Sequence, residues 1–127
     1  MSDPQTLPDV VQRYLDAYNR RDVAALVACV SESVVFENVS NGAAPLRLDG
    51  RTAFAHLAAQ AAETFPVRRL QVRTAVVSGD RVALEVDWSG TPSVDIGGVR
   101  AGETMTLRGA SFFRIADEAL VSIVDLS

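Results

Sequence analysis

The chain has 127 residues, 48% of them apolar and 22% charged, and a formal net charge of −4, which is the make-up of one globular domain spanning 1–127 with enough apolar surface for a real core. An acidic balance with scattered arginines excludes nucleic acid as the main partner, and no apolar run approaches the roughly 18 residues of a membrane span. A single cysteine, Cys29, and a single histidine, His56, exclude an internal disulfide and an ordinary zinc site, and no metal or other cofactor is expected.

The polar start Met1-Ser2-Asp3-Pro4-Gln5 has neither the basic region nor the apolar stretch of an export signal, so a cytoplasmic location is the expectation. Thr6-Leu7-Pro8-Asp9 reads as a capping box with Asp in place of Glu, opening a helix whose Val11, Tyr14, Leu15 and Tyr18 fall on one stripe. Asn19-Arg20-Arg21 closes it. Asp22 caps a second helix with Val23, Leu26, Val27 and Val30 at the same spacing, and Ser31-Glu32-Ser33 turns the chain into a strand at 34–39. Residues 40–45 have loop chemistry, placed to rim a pocket. A third helix runs from about Arg51 to Phe65 with Phe54, Leu57, Ala58, Ala61 and Phe65 on its apolar face.

After Pro66 the period changes from helical to alternating. Residues 67–77 and 81–89 flank Ser78-Gly79-Asp80 as a hairpin, 90–102 form a Gly-rich connection, and 103–115 make a strand. A turn at Ala116-Asp117-Glu118 leads to a last strand ending at 126. Three N-terminal helices before a mostly antiparallel sheet define an α+β domain, and helices closing the mouth of a strongly curved sheet leave a pocket.

This succession, with Val10-Val11-Gln12-Arg13-Tyr14, Asn19, Asp22, Val35-Phe36-Glu37-Asn38, Gly79-Asp80-Arg81-Val82 and Ser111-Phe112-Phe113-Arg114, resembles the ketosteroid isomerase/SnoaL-like superfamily. The fold it implies is the NTF2-like cone. The activities it implies are several: isomerisation, polyketide cyclisation, epoxide hydrolysis, or ligand binding without catalysis. By resemblance Tyr14 matches the oxyanion-hole tyrosine of ketosteroid isomerases, whereas Asn38 and Ser111 stand where those enzymes carry two aspartates. A carboxamide cannot shuttle a proton at neutral pH, which disfavours the steroid-isomerase reading. Phe36-Glu37-Asn38 and Ile123-Val124-Asp125 are similar to the water-holding and water-activating segments of limonene-epoxide-hydrolase-like enzymes, but Glu85-Val86-Asp87 falls where that family has Arg-x-Asp. SnoaL-type cyclases resemble the chain in length and strand pattern, and a late-strand carboxylate often serves them as base.

The residues themselves select the same candidates. Ala119, Val121, Ile123 and Asp125 alternate onto one face, so Asp125 is either a pocket base with a raised pKa or a solvated acid at the chain's end. Asn38 holds a water or ligand, or bonds the following loop. Tyr14 is an oxyanion donor or a core phenol bonded to protein. Ser111 shapes the cavity or caps a local bond. Phe36, Ser111, Phe113, Ile123, Tyr18 and Phe54 complete the expected substrate-binding wall for a small apolar molecule. Glu85, Asp87, Arg108 and Arg114 alternate to the outer face, although the hydrolase resemblance would turn Asp87 inward. His56 is exposed and Cys29 a small buried hydrophobe. Phe112 and Trp88 are candidate outer-face apolar residues, and a homodimer through that sheet face is expected. The resulting expectation is a cofactor-independent hydrolase or cyclase using Asp125, Asn38 and Tyr14, with a non-catalytic binding or dimerisation module as the alternative.

Overall fold

The computed structural model describes residues 6–40 and 43–127. Its elements run α1 (Asp9–Arg20), α2 (Val23–Ala28), β1 (Val30–Val39), β2 (Leu46–Asp49), α3 (Arg51–Thr64), β3 (Val67–Ser78), β4 (Arg81–Thr91), β5 (Met105–Ala116) and β6 (Ala119–Leu126). One six-stranded sheet has the order β2-β1-β6-β5-β4-β3, in which the β1–β6 pair is parallel and the others antiparallel. It is an unclosed, curved sheet carrying three helices, the α+β architecture of the NTF2-like fold. No helix among the described residues is long and apolar enough to cross a membrane.

Helix α1 packs on both the edge strand β3 and the central strand β6, which is possible because the sheet wraps round it. Three register shifts supply the bend, one in each of the β1–β6, β3–β4 and β5–β6 pairs. Val11, Tyr14 and Leu15 of the α1 stripe are buried, and Arg21 closes the helix in the left-handed region at φ 57°, with its backbone N–H bonded to the carbonyls of Ala17 and Tyr18. Asn19 then ties this end to the sheet. Its Nδ2 donates to the Leu70 carbonyl at 3.0 Å while its Oδ1 accepts from the Leu70 amide at 2.7 Å, so one side chain satisfies an otherwise unpaired stretch of edge strand.

Several expectations are corrected. The capping box does not form: Pro8, at φ −54° and ψ 143°, is itself the N-cap without a side-chain bond, and Asp9 pairs instead with Arg13 at 2.8 Å. Extended Pro8 prevents the chain from turning helical early enough for Thr6 to cap it. Helix α2 stops at Ala28, and Val30 belongs to β1, where it is fully buried opposite Leu120. Its β-branched side chain suits either period, and the bond from the Leu120 amide to the Cys29 carbonyl captures this segment for the sheet. Ser31-Glu32-Ser33 is therefore a bulged part of β1 and not a turn. Strand β2 has no counterpart in the sequence pattern; it is short and mostly exposed, so it carries no alternating apolar signal. Of the predicted 40–45 loop, Asn41 and Gly42 lie outside the described residues.

On β6 simple alternation fails. The shift between Arg114 and Ile115 opposite it places Leu120 and Ile123 in the core, both fully buried, whereas Ala119 and Val121 are only half-buried. Trp88 is also corrected: it faces inward, its indole edge-on to Phe65 at 5.0 Å and folded over Gly90, where any Cβ would overlap the ring. Phe112 is on the outer face, 41% exposed, as alternation indicates. So are Glu85 and Asp87, which pair with Arg108 at 2.6 Å and with Arg73 at 2.9 Å, so the inward Asp87 implied by the hydrolase resemblance is not realised.

Candidate active site

A cavity of about 300 Å³ opens between α1, the end of α3 and the concave face of β3–β6, at the lower end of the range for small-molecule sites. Grooves of about 440 and 400 Å³ also exist, but they lie on the outer sheet face beside paired surface charges, where nothing excludes water. The inner cavity is walled mainly by apolar side chains, with a few polar groups converging on one side.

The strand register builds that polar side. Asn38 on β1 is the neighbour of Asp125 on β6, and Asp125 is the neighbour of Ser111 on β5. Asn38 is thus brought beside a pair from the β5–β6 hairpin, and the three residues form a row across the sheet, all on the cavity wall. The Ser111 hydroxyl donates to Asp125 Oδ1 at 2.7 Å, the short distance of a charge-assisted bond. Gly109, two residues earlier on the same face, has to lack a side chain because a Cβ there would run into the Leu126 carbonyl; this close approach keeps the end of β6 against β5. Asn38 Oδ1 accepts from the Ser40 hydroxyl at 3.1 Å, which leaves its amide N–H groups without a side-chain or backbone partner among the described residues.

Burial among apolar groups raises the Asp125 pKa to about 6, and the Ser111 bond pulls back against that rise. The residue as a whole is still partly accessible through the cavity, so its carboxylate is dry on the protein side and reachable from the ligand side. Tyr14 faces it from α1. Its ring is buried, edge-on to Phe113 at 5.5 Å, and its hydroxyl makes no hydrogen bond to the described residues. Burial first, and the nearby Asp125 charge second, push its pKa well above that of a free phenol, so it enters any reaction as a proton-bearing donor. Tyr18 lies further along the helix and accepts from the Trp88 indole N–H at 2.7 Å.

Of the expected binding wall, Tyr18, Ser111 and Phe113 line the cavity. Phe36, Phe54 and Ile123 do not. They are packed beneath it, with Phe36 edge-on to Phe54 at 5.7 Å and Phe54 6.5 Å from Tyr14, and form the floor that holds Tyr14 in place. The curvature of β1 and β6 takes the paired Phe36 and Ile123 into the core one step below the row of Asn38 and Asp125, and Phe54 packs against Phe36 from α3. Sequence reasoning missed Arg68, which is buried, lines the cavity and stacks 3.8 Å over the Tyr18 ring. A signal existed: Arg68 shares its parity on β3 with Leu70 and Val72, both packed against the core.

The comparisons with known proteins agree with this architecture. The SnoaL-like domain model matches residues 11–123. A proposed polyketide cyclase of Xanthomonas campestris is 29% identical, superimposes with a TM-score of 0.73, and is matched over 93% of this chain and 87% of that one. A hypothetical protein of Catenulispora acidiphila with a ketosteroid-isomerase-like fold, solved with trimethylamine, superimposes at 21% identity, TM-score 0.76 and coverage of 94% and 85%. An LEH-like epoxide hydrolase of M. tuberculosis does so at 16% identity, TM-score 0.75 and coverage of 94% and 80%. No curated protein gives a match. With nearly its whole length inside the family model and this curved sheet beneath three helices, the chain belongs to the SnoaL-like domain family.

Proposed function

We propose that this protein is a cofactor-independent enzyme that binds a small apolar, oxygen-bearing molecule in the cavity and uses Asp125 as a general base. The observation that carries this is the pairing of Asp125, held by Ser111 in a largely apolar wall, with a phenol at Tyr14 that has no hydrogen-bond partner among the described residues. A carboxylate with a pKa of about 6 is mostly ionised at neutral pH yet accepts a proton readily, which is the compromise a base needs. Asp125 takes a proton from a carbon beside a carbonyl, or from a water held by the free Asn38 amide. Tyr14 donates to the oxygen on which negative charge develops. Returning the Asp125 proton to that oxygen or to the product closes the cycle.

Cyclisation or hydrolysis fits better than steroid isomerisation, because Asn38 and Ser111 are not ionisable and leave Asp125 as the one side-chain carboxylate on the cavity wall among the described residues. The likeness to a proposed polyketide cyclase supports cyclisation. The test is product formation from cyclisable polyketides, epoxides and ketosteroids. Conversion is expected, with kcat/KM rising about tenfold per pH unit below pH 6 and level above it. Ligand-induced thermal shifts without any product, across all three classes, would instead establish the alternative of a non-catalytic binding module.

A homodimer through the outer sheet face forms part of the proposal. Phe112 and Val76, 41% and 61% exposed, flank a groove there that continues to Val124. Covering them removes apolar surface from water. Sedimentation of micromolar protein is expected to give twice the chain mass and Phe112→Glu a monomer; a monomeric native protein removes the dimer.

A further inference from the structure

Arg68 is the other charged side chain on the cavity wall, and the fold leaves it without a counter-ion. Only 7% of it is exposed, and no carboxylate among the described residues pairs with it. Asp125 lies on the same cavity but forms no ion pair with it, so the site has a cationic end and a separate basic end. Buried guanidinium groups are normally matched by an anion, since their desolvation is otherwise uncompensated. A second guanidinium adds to the imbalance: Arg21, close enough to oppose the Arg68 charge, has a buried Nε with no partner and no ion pair of its own among the described residues.

The Arg68 fork is also held in one orientation. Its Nε and Nη2 donate to the Tyr18 carbonyl at 3.3 and 3.2 Å, and its Cζ lies over the Tyr18 ring, 3.8 Å from the ring centroid, with the Tyr18 hydroxyl in turn fixed by the Trp88 indole. Capping that carbonyl needs one neutral donor and not a buried charge. The Nη1 edge makes no bond to the described residues, so a planar pair of donors is left for a ligand; a carboxylate matches it in charge and shape.

We propose that the Arg68 end of the cavity takes a carboxylate, so that the ligand is an apolar acid whose charged head lies against the guanidinium and whose body extends toward Asp125. This rests on the reading of the cavity as a ligand site. It orients the substrate: the head is drawn to Arg68 and kept from Asp125 by like charge, which leaves the reactive part of the molecule at the base.

Calorimetric titration of the protein at pH 7.5 with 2-naphthoate, 4-phenylbutyrate and decanoate, each beside its methyl ester, tests this. At least one acid is expected to bind ten times or more tighter than its ester, as a charge-assisted bidentate contact requires. Arg68→Gln is expected to lower acid affinity to that of the ester while ester affinity holds, with Arg68→Lys between the two. Equal or tighter binding of every ester, no binding of any acid, or an acid preference that survives in Arg68→Gln overturns the proposal. The native comparison stands even where a variant folds poorly. Turnover is not read, so the result bears on Arg68 whether or not Asp125 acts as a base.

Discussion

Asp125→Asn is expected to lower turnover by about 10²–10⁴-fold, the range lost when a general base is removed, while the fold and ligand affinity are retained. The expectation is strong because the substitution is nearly isosteric. The Ser111 hydroxyl that donates to Asp125 Oδ1 at 2.7 Å can donate equally to an asparagine carbonyl, so the row from Asn38 to Ser111 keeps its geometry. What disappears is the ability to accept a proton. The residual rate should also lose the rise through pH 6, since the group responsible for it is gone. Steady-state kinetics of both proteins from pH 5 to pH 8 on the best substrate of the panel measure this, and a variant with native turnover rejects Asp125 as the base.

The same substitution is expected to stabilise the protein at pH 7.5 by about 2–3 kcal/mol, and to make no difference below pH 4. In the native fold Asp125 holds its proton up to about pH 6, whereas in the unfolded chain it releases it near the ordinary value of 3.8. Between those limits the native state binds more protons than the unfolded state, so stability falls as pH rises through the window, by about 1.4 kcal/mol for each pH unit. Above pH 6 the whole cost of a desolvated carboxylate is present, and the asparagine variant is free of it. Other acids, such as the exposed Glu85 whose pKa is lowered chiefly by its bond from Arg108, act alike in both proteins and cancel in the difference. Urea denaturation of both at pH 4 and pH 7.5 gives the comparison. A variant no more stable than the native protein at pH 7.5 would mean that Asp125 is well solvated, and the proposed base would lose its physical footing. The two outcomes together describe a stability–function trade: a residue that costs the fold stability at neutral pH is the one the chemistry needs.

The limits of the sequence reading follow from what alternation and helical spacing can carry. Period alone places Tyr14, Leu15, Phe113 and Ser111 on inward faces, and they are there. Val30 reads as helical because a β-branched residue at the end of an apolar helix satisfies both periods, and only its partner Leu120, ninety residues away, settles the choice. Alternation along β6 puts Val121 in the core in place of Leu120, because the register shift beside Ile115 is a property of two strands and is invisible in either one. Phe36, Phe54 and Ile123 share the expected inward facing but sit below the cavity, and depth depends on how far the sheet bends, which no local pattern encodes. Arg68 escapes notice for a different reason. Its parity points inward, but an arginine between Val67 and Arg69 reads as surface until the end of α1 is seen to cover it.

By itself the sequence determined the order and kind of most elements and the α+β class, because spacing of apolar residues and turn chemistry act within a few residues of each other; the family was legible as a resemblance of whole segments, which the match over residues 11–123 bears out. Tertiary structure alone decided which polar groups meet. Asn38, Asp125 and Ser111 become neighbours through strand register, and Arg68 becomes a buried cation only because α1 folds across the edge of the sheet. The Ser111–Asp125 contact joins residues 14 apart, but Arg68–Tyr18 and Asn38–Asp125 join residues 50 and 87 apart, and the bulges and curvature that align them are collective properties of paired strands.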